Sequence, residues 1–178
     1  MTDILWHGRG GQGAFTAARL LGAGYALQDD ANFALAFPSF GPERRGAPVR
    51  AFTKLAKRPI GDRSEIERAD YSIYLDDTLF SKEAFAALKP GGRILLNTAR
   101  SVRDPRVIAL NGSLLAEEIL NLQIVNTVML GAFAGIFDGV SVDALEEAVR
   151  RGMPPKLQEK NIAVIRAAAQ KIRKEIAE

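Results

Sequence analysis

Short apolar runs alternate along the chain with longer segments rich in alanine, leucine and charged residues. Apolar runs at residues 4–6, 71–75, 93–97 and 107–110 predict strands, because each is short and bounded by polar or glycine-containing segments. The longer segments have the spacing of amphipathic helices, the first from residue 14 to about residue 27. Strands that alternate with helices predict an α/β fold, with a mostly parallel sheet and helices on both faces.

Two more strands are predicted before residue 60, at 32–36 and 49–55. The loop between them, from Pro38 to Pro48, contains three prolines and two glycines, which leaves little room for regular structure. A short helix is predicted further on, at residues 81–88, where Ser81 can serve as the N-cap.

The last third of the chain predicts helices. Segment 126–137 is apolar nearly all round and too short to cross a membrane, which predicts a buried core helix or a contact with another subunit. Ser141 opens a further helix, and the last helix runs from Lys156 towards the end of the chain.

Composition limits both the number of domains and the available chemistry. At 178 residues with 47% hydrophobic residues, the chain is long enough for one well-buried core, so a single domain over residues 1–178 is expected. The absence of cysteine excludes disulfides, thiolate nucleophiles and iron–sulfur clusters held by this chain alone. No signal-like segment and no apolar run of roughly 20 residues is present, so we expect a soluble, cytoplasmic protein without a membrane span.

A glycine-rich turn lies between the first strand and the first helix. Gly8, Gly10 and Gly13 satisfy the pattern G-x-G-x-x-G in the strand, turn and helix context that it requires. Such a turn lets a phosphate approach several backbone N–H groups, and the following helix directs its positive end to the same place. The turn therefore predicts a phosphate-bearing ligand.

The residues around the second strand indicate which phosphate-bearing ligand the glycine turn would bind. A nicotinamide site normally has an acidic residue at the end of that strand, but Asp29 and Asp30 come before the strand, and Arg44 and Arg45 follow it. Two arginines suit a ligand with an additional phosphate, either NADP or coenzyme A. Loop arginines are more commonly solvated or in contact with a partner, but the three prolines stiffen this loop and favour a positioned surface.

Three other features carry weaker signals. His7, the only histidine, has no serine, lysine or carboxylate motif near it, so we interpret it as a residue that packs or hydrogen-bonds locally. Asp76 and Asp77 follow a strand and could bind a metal, but adjacent acids in a loop are usually solvated. The basic tail from Arg150 to Lys174 lacks aromatic residues and motifs for nucleic-acid binding, which favours a solvated or partner-facing helix. No catalytic residue and no metal ligand is therefore predicted in this chain.

Three segments together carry a resemblance to a known family. They are residues 8–13, residues 36–49 with the run Gly-Pro-Glu-Arg-Arg-Gly-Ala-Pro, and residues 126–131. The chain resembles the gamma subunit of the pyruvate:ferredoxin (2-oxoacid:acceptor) oxidoreductases over almost its whole length. The family often has a glycine seven residues after an asparagine in the last helix, and Ala168 stands at that distance from Asn161 here.

The resemblance implies a Rossmann-like gamma domain that assembles with alpha, beta and delta subunits. It also implies thiamine diphosphate on the alpha and beta parts, [4Fe-4S] clusters on delta and related chains, and ferredoxin or another acceptor for the electrons. In such complexes a 2-oxoacid is decarboxylated and its acyl group is captured by coenzyme A, whose site the gamma domain helps to form. The identity of the 2-oxoacid stays open among pyruvate, branched or aromatic 2-oxoacids and 2-oxoglutarate.

These observations lead to the hypothesis that the chain has no complete active site of its own and contacts coenzyme A. The candidate cofactor-binding residues come from the glycine turn and the proline-rich loop: Gly8, Arg9, Gly10, Gly11, Gln12, Gly13, Ser39, Gly41, Arg44 and Arg45. Two alternatives stay open, a free-standing NADP-dependent reductase and a purely structural subunit with an empty glycine turn.

Overall fold

A computed structural model describes residues 1–39 and 45–177. Within these ranges the chain forms six strands, five α-helices and two 3₁₀ helices. The strands are β1 (Thr2–Arg9), β2 (Phe33–Pro38), β3 (Pro48–Ala56), β4 (Ala69–Tyr74), β5 (Leu88–Asn97) and β6 (Val107–Leu110). The α-helices are α1 (Ala14–Leu27), α2 (Gly112–Leu120), α3 (Asn126–Ile136), α4 (Val142–Gly152) and α5 (Pro155–Ala177). The 3₁₀ helices are Asp77–Leu79 and Lys82–Ala87, so the short helix predicted at 81–88 is present but is not an α-helix.

All six strands form one sheet in the order β2-β3-β1-β4-β5-β6. Strands β1, β4, β5 and β6 pair in parallel, whereas β3 is antiparallel to both β1 and β2. Five strands therefore point the same way and β3 runs against them, which confirms the predicted mostly parallel α/β sheet. The antiparallel direction of β3 follows from the length of its connection to β2, because residues 39–47 are too few for a parallel crossover.

The five α-helices cover one face of the sheet. Alternate residues of the central strands, such as Ile4 and Trp6 of β1, Ile73 of β4 and Leu95 of β5, are buried against the helices. The period of two along each strand places the intervening residues on the opposite face. The main hydrophobic core therefore lies between this face and the helical layer.

The opposite face is covered by shorter pieces of chain. The two 3₁₀ helices pack over β4 and β5, where Ala84 contacts a cluster that includes Ile94. Ile66, in the connection between β3 and β4, covers the β1 and β3 side. That connection is held by Lys54, which is 2% exposed and donates from Nζ to the Asp62 carboxylate at 2.7 Å. The sequence predicted helices on both faces; within the described residues the α-helices all lie on one face, and the other face has only the two short 3₁₀ helices and the connection with Ile66.

Helix α3 is the buried core helix that its composition predicts. Its first nine residues are buried, and it packs closely along α5. The close approach depends on Gly131, since a Cβ at this position would lie 2.4 Å from the Ile165 carbonyl oxygen. In the described part of the chain, no helix combines the length and apolar character needed to cross a bilayer.

We predict that Gly131→Ala destabilises the fold by roughly 1–3 kcal/mol, because the added methyl group overpacks the contact between α3 and α5. The matched control is Gly22→Ala in α1, where the atom nearest to the new Cβ is the Cβ of Ala34, at 3.4 Å. That contact is an ordinary one, so Gly22→Ala should be neutral or slightly stabilising. Urea unfolding of both variants measures the difference, and equal stabilities would contradict the packing argument.

His7 lies on the thinly covered face of β1 and stacks on Tyr74. The two ring centroids are 4.1 Å apart and the rings are nearly parallel, at 4°. Burial, and to a smaller extent the nearby charge of Arg50, together lower the pKa of His7 to about 4. Its Nε2 is buried and has no hydrogen-bond partner among the residues described. His7 is therefore neutral at physiological pH and packs locally, as the sequence suggested.

The low pKa of His7 predicts a specific dependence of stability on pH. Between about pH 6.5 and pH 4 the unfolded chain binds a proton at His7 that the folded protein does not, so stability falls as the pH falls through this window. The expected loss is about 3 kcal/mol in total. His7→Phe keeps an aromatic ring beside Tyr74 but cannot titrate, so the difference in stability between the two proteins should change with pH by that amount. The single histidine can also be titrated by NMR, and a pKa near 6.5 would refute the prediction.

Candidate functional site

The glycine turn, residues 8–13, joins the end of β1 to the start of α1 at the carboxyl edge of the parallel strands. Gly11 and Gly13 have φ angles of 96° and 78°, in the left-handed region that favours glycine. At Gly13 a side chain would also collide with Asn126, whose Nδ2 lies 2.4 Å from the position of a Cβ. Backbone conformation and packing therefore both require glycine at position 13.

Helix α1 begins at this turn without a side-chain cap. Gly13 occupies the N-cap position, and the helical bonds begin where the N–H of Ala17 donates to the Gly13 carbonyl at 3.1 Å. The first turn of α1 has no acidic residue. The N–H groups of residues 14–16 and the positive end of the helix dipole are therefore available to an anion at this edge.

Arg9 and Gln12 are held by the carboxylate of Asp76, which follows β4. Arg9 Nε and Gln12 Nε2 each donate to Asp76 Oδ2 at 3.1 Å. Arg9 also donates from Nη2 to Thr78 Oγ1 at 2.7 Å and from Nη1 to the Gly46 carbonyl at 3.1 Å. The side chain of Gln12 closes the arrangement, because its Oε1 accepts from the N–H of Arg9 at 2.7 Å. Most of the donors of Arg9 are thus engaged within the protein.

The carboxylate of Asp76 is stabilised in its charged form. Burial raises the pKa of Asp76, but hydrogen bonds from Thr78 and Gln12 and the charge of Arg9 outweigh this effect and leave the pKa below its usual value. The neighbouring Asp77 accepts from Thr98 Oγ1 at 2.7 Å. Neither acid is simply solvated, and across residues 1–39 and 45–177 no group of three potential metal ligands comes together.

The start of β3 lies against the glycine turn. The N–H of Gly10 donates to the Ala47 carbonyl at 2.8 Å, and the N–H of Gly46 donates to the Gly10 carbonyl at 3.1 Å. This pairing brings Arg45, which is exposed and adjacent to Gly46, to the side of the turn. The proline-rich loop therefore returns to the turn at its C-terminal end.

The remaining predicted residues lie in or beside that loop. Ser39 lies just beyond the end of β2, where its Oγ donates to Glu65 at 2.7 Å and its N–H donates to the Arg50 carbonyl at 2.9 Å. Gly41 and Arg44 lie outside the described residues. The structure thus brings together residues 8–13 and Arg45, and it places Ser39 against a different partner.

The sheet order changes the comparison with a nicotinamide site. That comparison assumes that β2 lies next to β1, so that an acid at the end of β2 reaches a ligand on the glycine turn. Here β3 lies between β1 and β2. The carboxylate that contacts the turn comes instead from Asp76, on the other side of β1, and it binds Arg9 and Gln12.

A cavity of about 290 Å³, the lysine groove, opens beside the turn and the start of α1. Its walls are the glycine turn, the loop between α2 and α3, and the first turns of α5. Two lysines, Lys156 and Lys160, line it together with apolar side chains. Among these, Leu122 and Ile124 are 54% and 46% exposed. The lining is Gly11, Gln12, Gly13, Thr16, Leu120, Leu122, Ile124, Asn126, Met153, Lys156, Leu157, Lys160 and Asn161.

Side-chain hydrogen bonds join the walls of the lysine groove. Asn126 Nδ2 donates to the Gly13 carbonyl at 3.3 Å, linking the start of α3 to the turn. Thr127 Oγ1 donates to Asn161 Oδ1 at 2.6 Å, linking α3 to α5. Asn161 in turn donates from Nδ2 to the Leu157 carbonyl at 2.7 Å. These bonds therefore set where the start of α5, which carries Lys156 and Lys160, lies relative to the turn.

A second cavity, of about 270 Å³, lies on the other side of Gln12 at the ends of β4 and β5. Asp76 and Asp77 line it with Asn97 and Ser113. Its carboxylates would repel a phosphate, whereas the lysine groove offers cations and free N–H groups. Of these two cavities beside the turn, the lysine groove fits an anionic ligand.

Sequence reasoning missed Lys156 and Lys160. Their spacing of four residues in a predicted helix places them on one face, which is a signal that the sequence does contain. Nothing in the local sequence, however, indicates that this face lies beside a turn more than 140 residues earlier.

Comparison with known proteins agrees with this architecture. The family model described as pyruvate ferredoxin/flavodoxin oxidoreductase matches residues 3–171. The chain is 42% identical to pyruvate synthase subunit PorC of Methanothermobacter marburgensis, over 97% of this chain and 98% of that protein. It is 38% identical to the pyruvate/ketoisovalerate oxidoreductases common subunit gamma of Pyrococcus furiosus, over 96% of this chain and 97% of that protein.

The fold is also similar to a solved structure. The crystal structure of pyruvate oxidoreductase subunit PORC from Thermotoga maritima superposes with a TM-score of 0.78 at 27% sequence identity, covering 97% of this chain and 95% of that one. Family model, relatives and fold agree over nearly the whole length. The chain therefore belongs to the pyruvate ferredoxin/flavodoxin oxidoreductase family.

Proposed function

We propose that this chain is the gamma subunit of a multi-subunit 2-oxoacid:acceptor oxidoreductase and that it helps to form the coenzyme A site. The enzyme would convert a 2-oxoacid and coenzyme A to an acyl-CoA and carbon dioxide, and pass two electrons to ferredoxin or another acceptor. The family and the names of its relatives support the subunit assignment. The observation that carries the coenzyme A proposal is the uncapped start of α1, which faces the lysine groove.

The chemistry of the groove suits coenzyme A. This molecule carries a pyrophosphate and a 3′-phosphate on one end and a thiol at the other. The N–H groups at the start of α1 and the ammonium groups of Lys156 and Lys160 can hold phosphate. The exposed Leu122 and Ile124 offer apolar surface to the uncharged parts of the molecule. Arg44 and Arg45 remain proposed as additional charges from the proline-rich loop.

Arg9 has a different role in this proposal from that of a phosphate ligand. Its guanidinium binds Asp76, Thr78 and the Gly46 carbonyl, so its charge is largely balanced within the protein. Arg9 and Gln12 therefore shape the turn, and the turn presents the start of α1 to the ligand.

The bond-making chemistry would take place on other chains. His7 is neutral and half-buried, and the sequence has no cysteine to hold a cluster. As the family resemblance implies, thiamine diphosphate would lie mainly on the alpha and beta subunits and the [4Fe-4S] clusters on delta and related chains. This chain, as a single gamma domain, would orient the thiol of coenzyme A towards the acyl group formed there.

The proposal predicts that Lys156→Ala/Lys160→Ala, in the assembled complex, raises the KM for coenzyme A roughly tenfold or more, because two charge-assisted contacts to phosphate are lost. The value of kcat at saturating coenzyme A and the KM for the 2-oxoacid should change little. Lys174→Ala removes a lysine near the end of the same helix and should leave all three values unchanged.

A second comparison separates this proposal from its alternatives. Calorimetry on the purified complex and on this chain alone would use coenzyme A, NADPH and NADH as ligands. The proposal is supported if the complex binds coenzyme A and the affinity falls in the double lysine variant. NADPH binding to the chain alone would support a reductase, and the absence of any binding would support a purely structural subunit.

A further inference from the structure

A second cationic cavity, the basic pocket, lies at the opposite end of the sheet from the glycine turn. It has a volume of about 470 Å³ and is lined by four cations, Arg68, Lys89, Arg93 and Arg106. These residues lie before β4, in β5 and before β6, at the amino ends of the parallel strands. The pocket is therefore separate from the lysine groove and from the residues proposed for coenzyme A.

Two of the four cations are fixed by carboxylates. Lys89 Nζ donates to Asp3 Oδ2 at 2.6 Å and to Asp70 Oδ2 at 2.7 Å. Arg106 donates from Nε and Nη2 to the two oxygens of Asp104, at 3.0 and 2.7 Å. These pairs hold the side chains of Lys89 and Arg106 in one position. The two side chains therefore lose little conformational freedom when the pocket is occupied.

An aromatic ring also supports Arg106. Its guanidinium carbon lies 4.0 Å from the centroid of the Phe85 ring, which itself lines the pocket. Since Asp104 engages Nε and Nη2, the Nη1 group of Arg106 is left to contact an occupant. This side of the pocket is therefore both rigid and able to donate a hydrogen bond.

The other two cations, Arg68 and Arg93, are exposed. Neither forms an ion pair or a side-chain hydrogen bond with any residue that the structure describes. Many other arginines of the chain pair internally, as Arg50 does with Glu65. Two guanidinium groups on one concave surface are suited to a carboxylate, which they can bind through planar, paired hydrogen bonds.

The charge balance and shape of the pocket favour one kind of occupant. Its four cations are accompanied by three carboxylates, Asp3, Asp70 and Asp104, so little positive charge remains to attract a polyanion such as a nucleic acid or a nucleotide. The pocket opens to solvent and is mostly polar, unlike the apolar enclosures that usually hold small ligands. Arginine is enriched in protein interfaces, where it pairs with acidic side chains.

We propose that the basic pocket is a docking site for a segment of another protein chain of the complex that places one aspartate or glutamate carboxylate between Arg68 and Arg93. The proposal rests on the assignment of this chain as a subunit. Because the pocket and the lysine groove lie at opposite edges of the sheet, a partner bound here leaves the coenzyme A groove accessible.

The test is a charge reversal, Arg68→Glu/Arg93→Glu, in the full chain. Its affinity for the remaining subunits, separated from the native complex, is measured by biolayer interferometry at low and high salt. The matched control, Arg58→Glu/Arg63→Glu, makes the same change of charge at two exposed arginines of the connection between β3 and β4 that do not line the pocket.

We expect the pocket variant to bind the remaining subunits about tenfold more weakly or worse at low salt, and the difference to shrink at high salt. The control variant should stay within about threefold of the unaltered chain. Urea unfolding curves of both variants should match that of the unaltered chain, because the four side chains are exposed.

Several outcomes would overturn the inference. Equal affinities for the two variants would remove the assignment to this pocket. Binding of citrate to the full chain that is lost in Arg68→Glu/Arg93→Glu, with subunit affinity unchanged, would show that the pocket holds a small anion. If the unaltered chain fails to bind the remaining subunits, the proposed function fails. If the unaltered chain and the Arg68→Glu/Arg93→Glu variant both bind them normally, only the docking site is contradicted.

Discussion

The carboxylate of Asp76 is the interaction on which the carboxyl edge of this protein depends. One oxygen accepts from Arg9 and Gln12, and the other accepts from the N–H and hydroxyl of Thr78. A single ion pair between partly exposed side chains contributes little to stability, often less than about 1 kcal/mol. Here, however, one carboxylate joins the end of β1, the start of α1 and the segment after β4, so the contacts reinforce one another.

This network determines how the glycine turn can meet a ligand. If Arg9 were free, its guanidinium would be the nearest cation to a bound phosphate. Because Asp76 balances it, the positive potential at the edge comes instead from the start of α1 and from the lysines of α5. On the proposed function, the turn would act as a support that presents the start of α1, and the lysine groove beside it would provide the selectivity for an anion.

The sequence was informative wherever local pattern decides structure. Helix α1 and strand β6 have the predicted bounds, and the buried character of α3 follows from its composition. The position of β3 between β1 and β2 was not predicted, because strand pairing depends on distant partners such as His7 with Arg50. The role of Asp76 was missed for the same reason, since its partners Arg9 and Gln12 lie more than 60 residues away. Pairs of this kind are decided by topology, which hydrophobic periodicity does not specify.

Strand β4 is one rigid element that runs between the amino and the carboxyl ends of the parallel strands. Asp70, near its start, helps to fix Lys89 in the wall of the basic pocket, and Asp76, just past its end, holds the glycine turn. Six residues of extended chain separate the two carboxylates by about 20 Å. Buried on both faces and paired with β1 and β5, the strand cannot shift at one end without disturbing the core. On the two proposals made above, this chain would contribute to the enzyme by holding the lysine groove and the basic pocket at a fixed distance from each other.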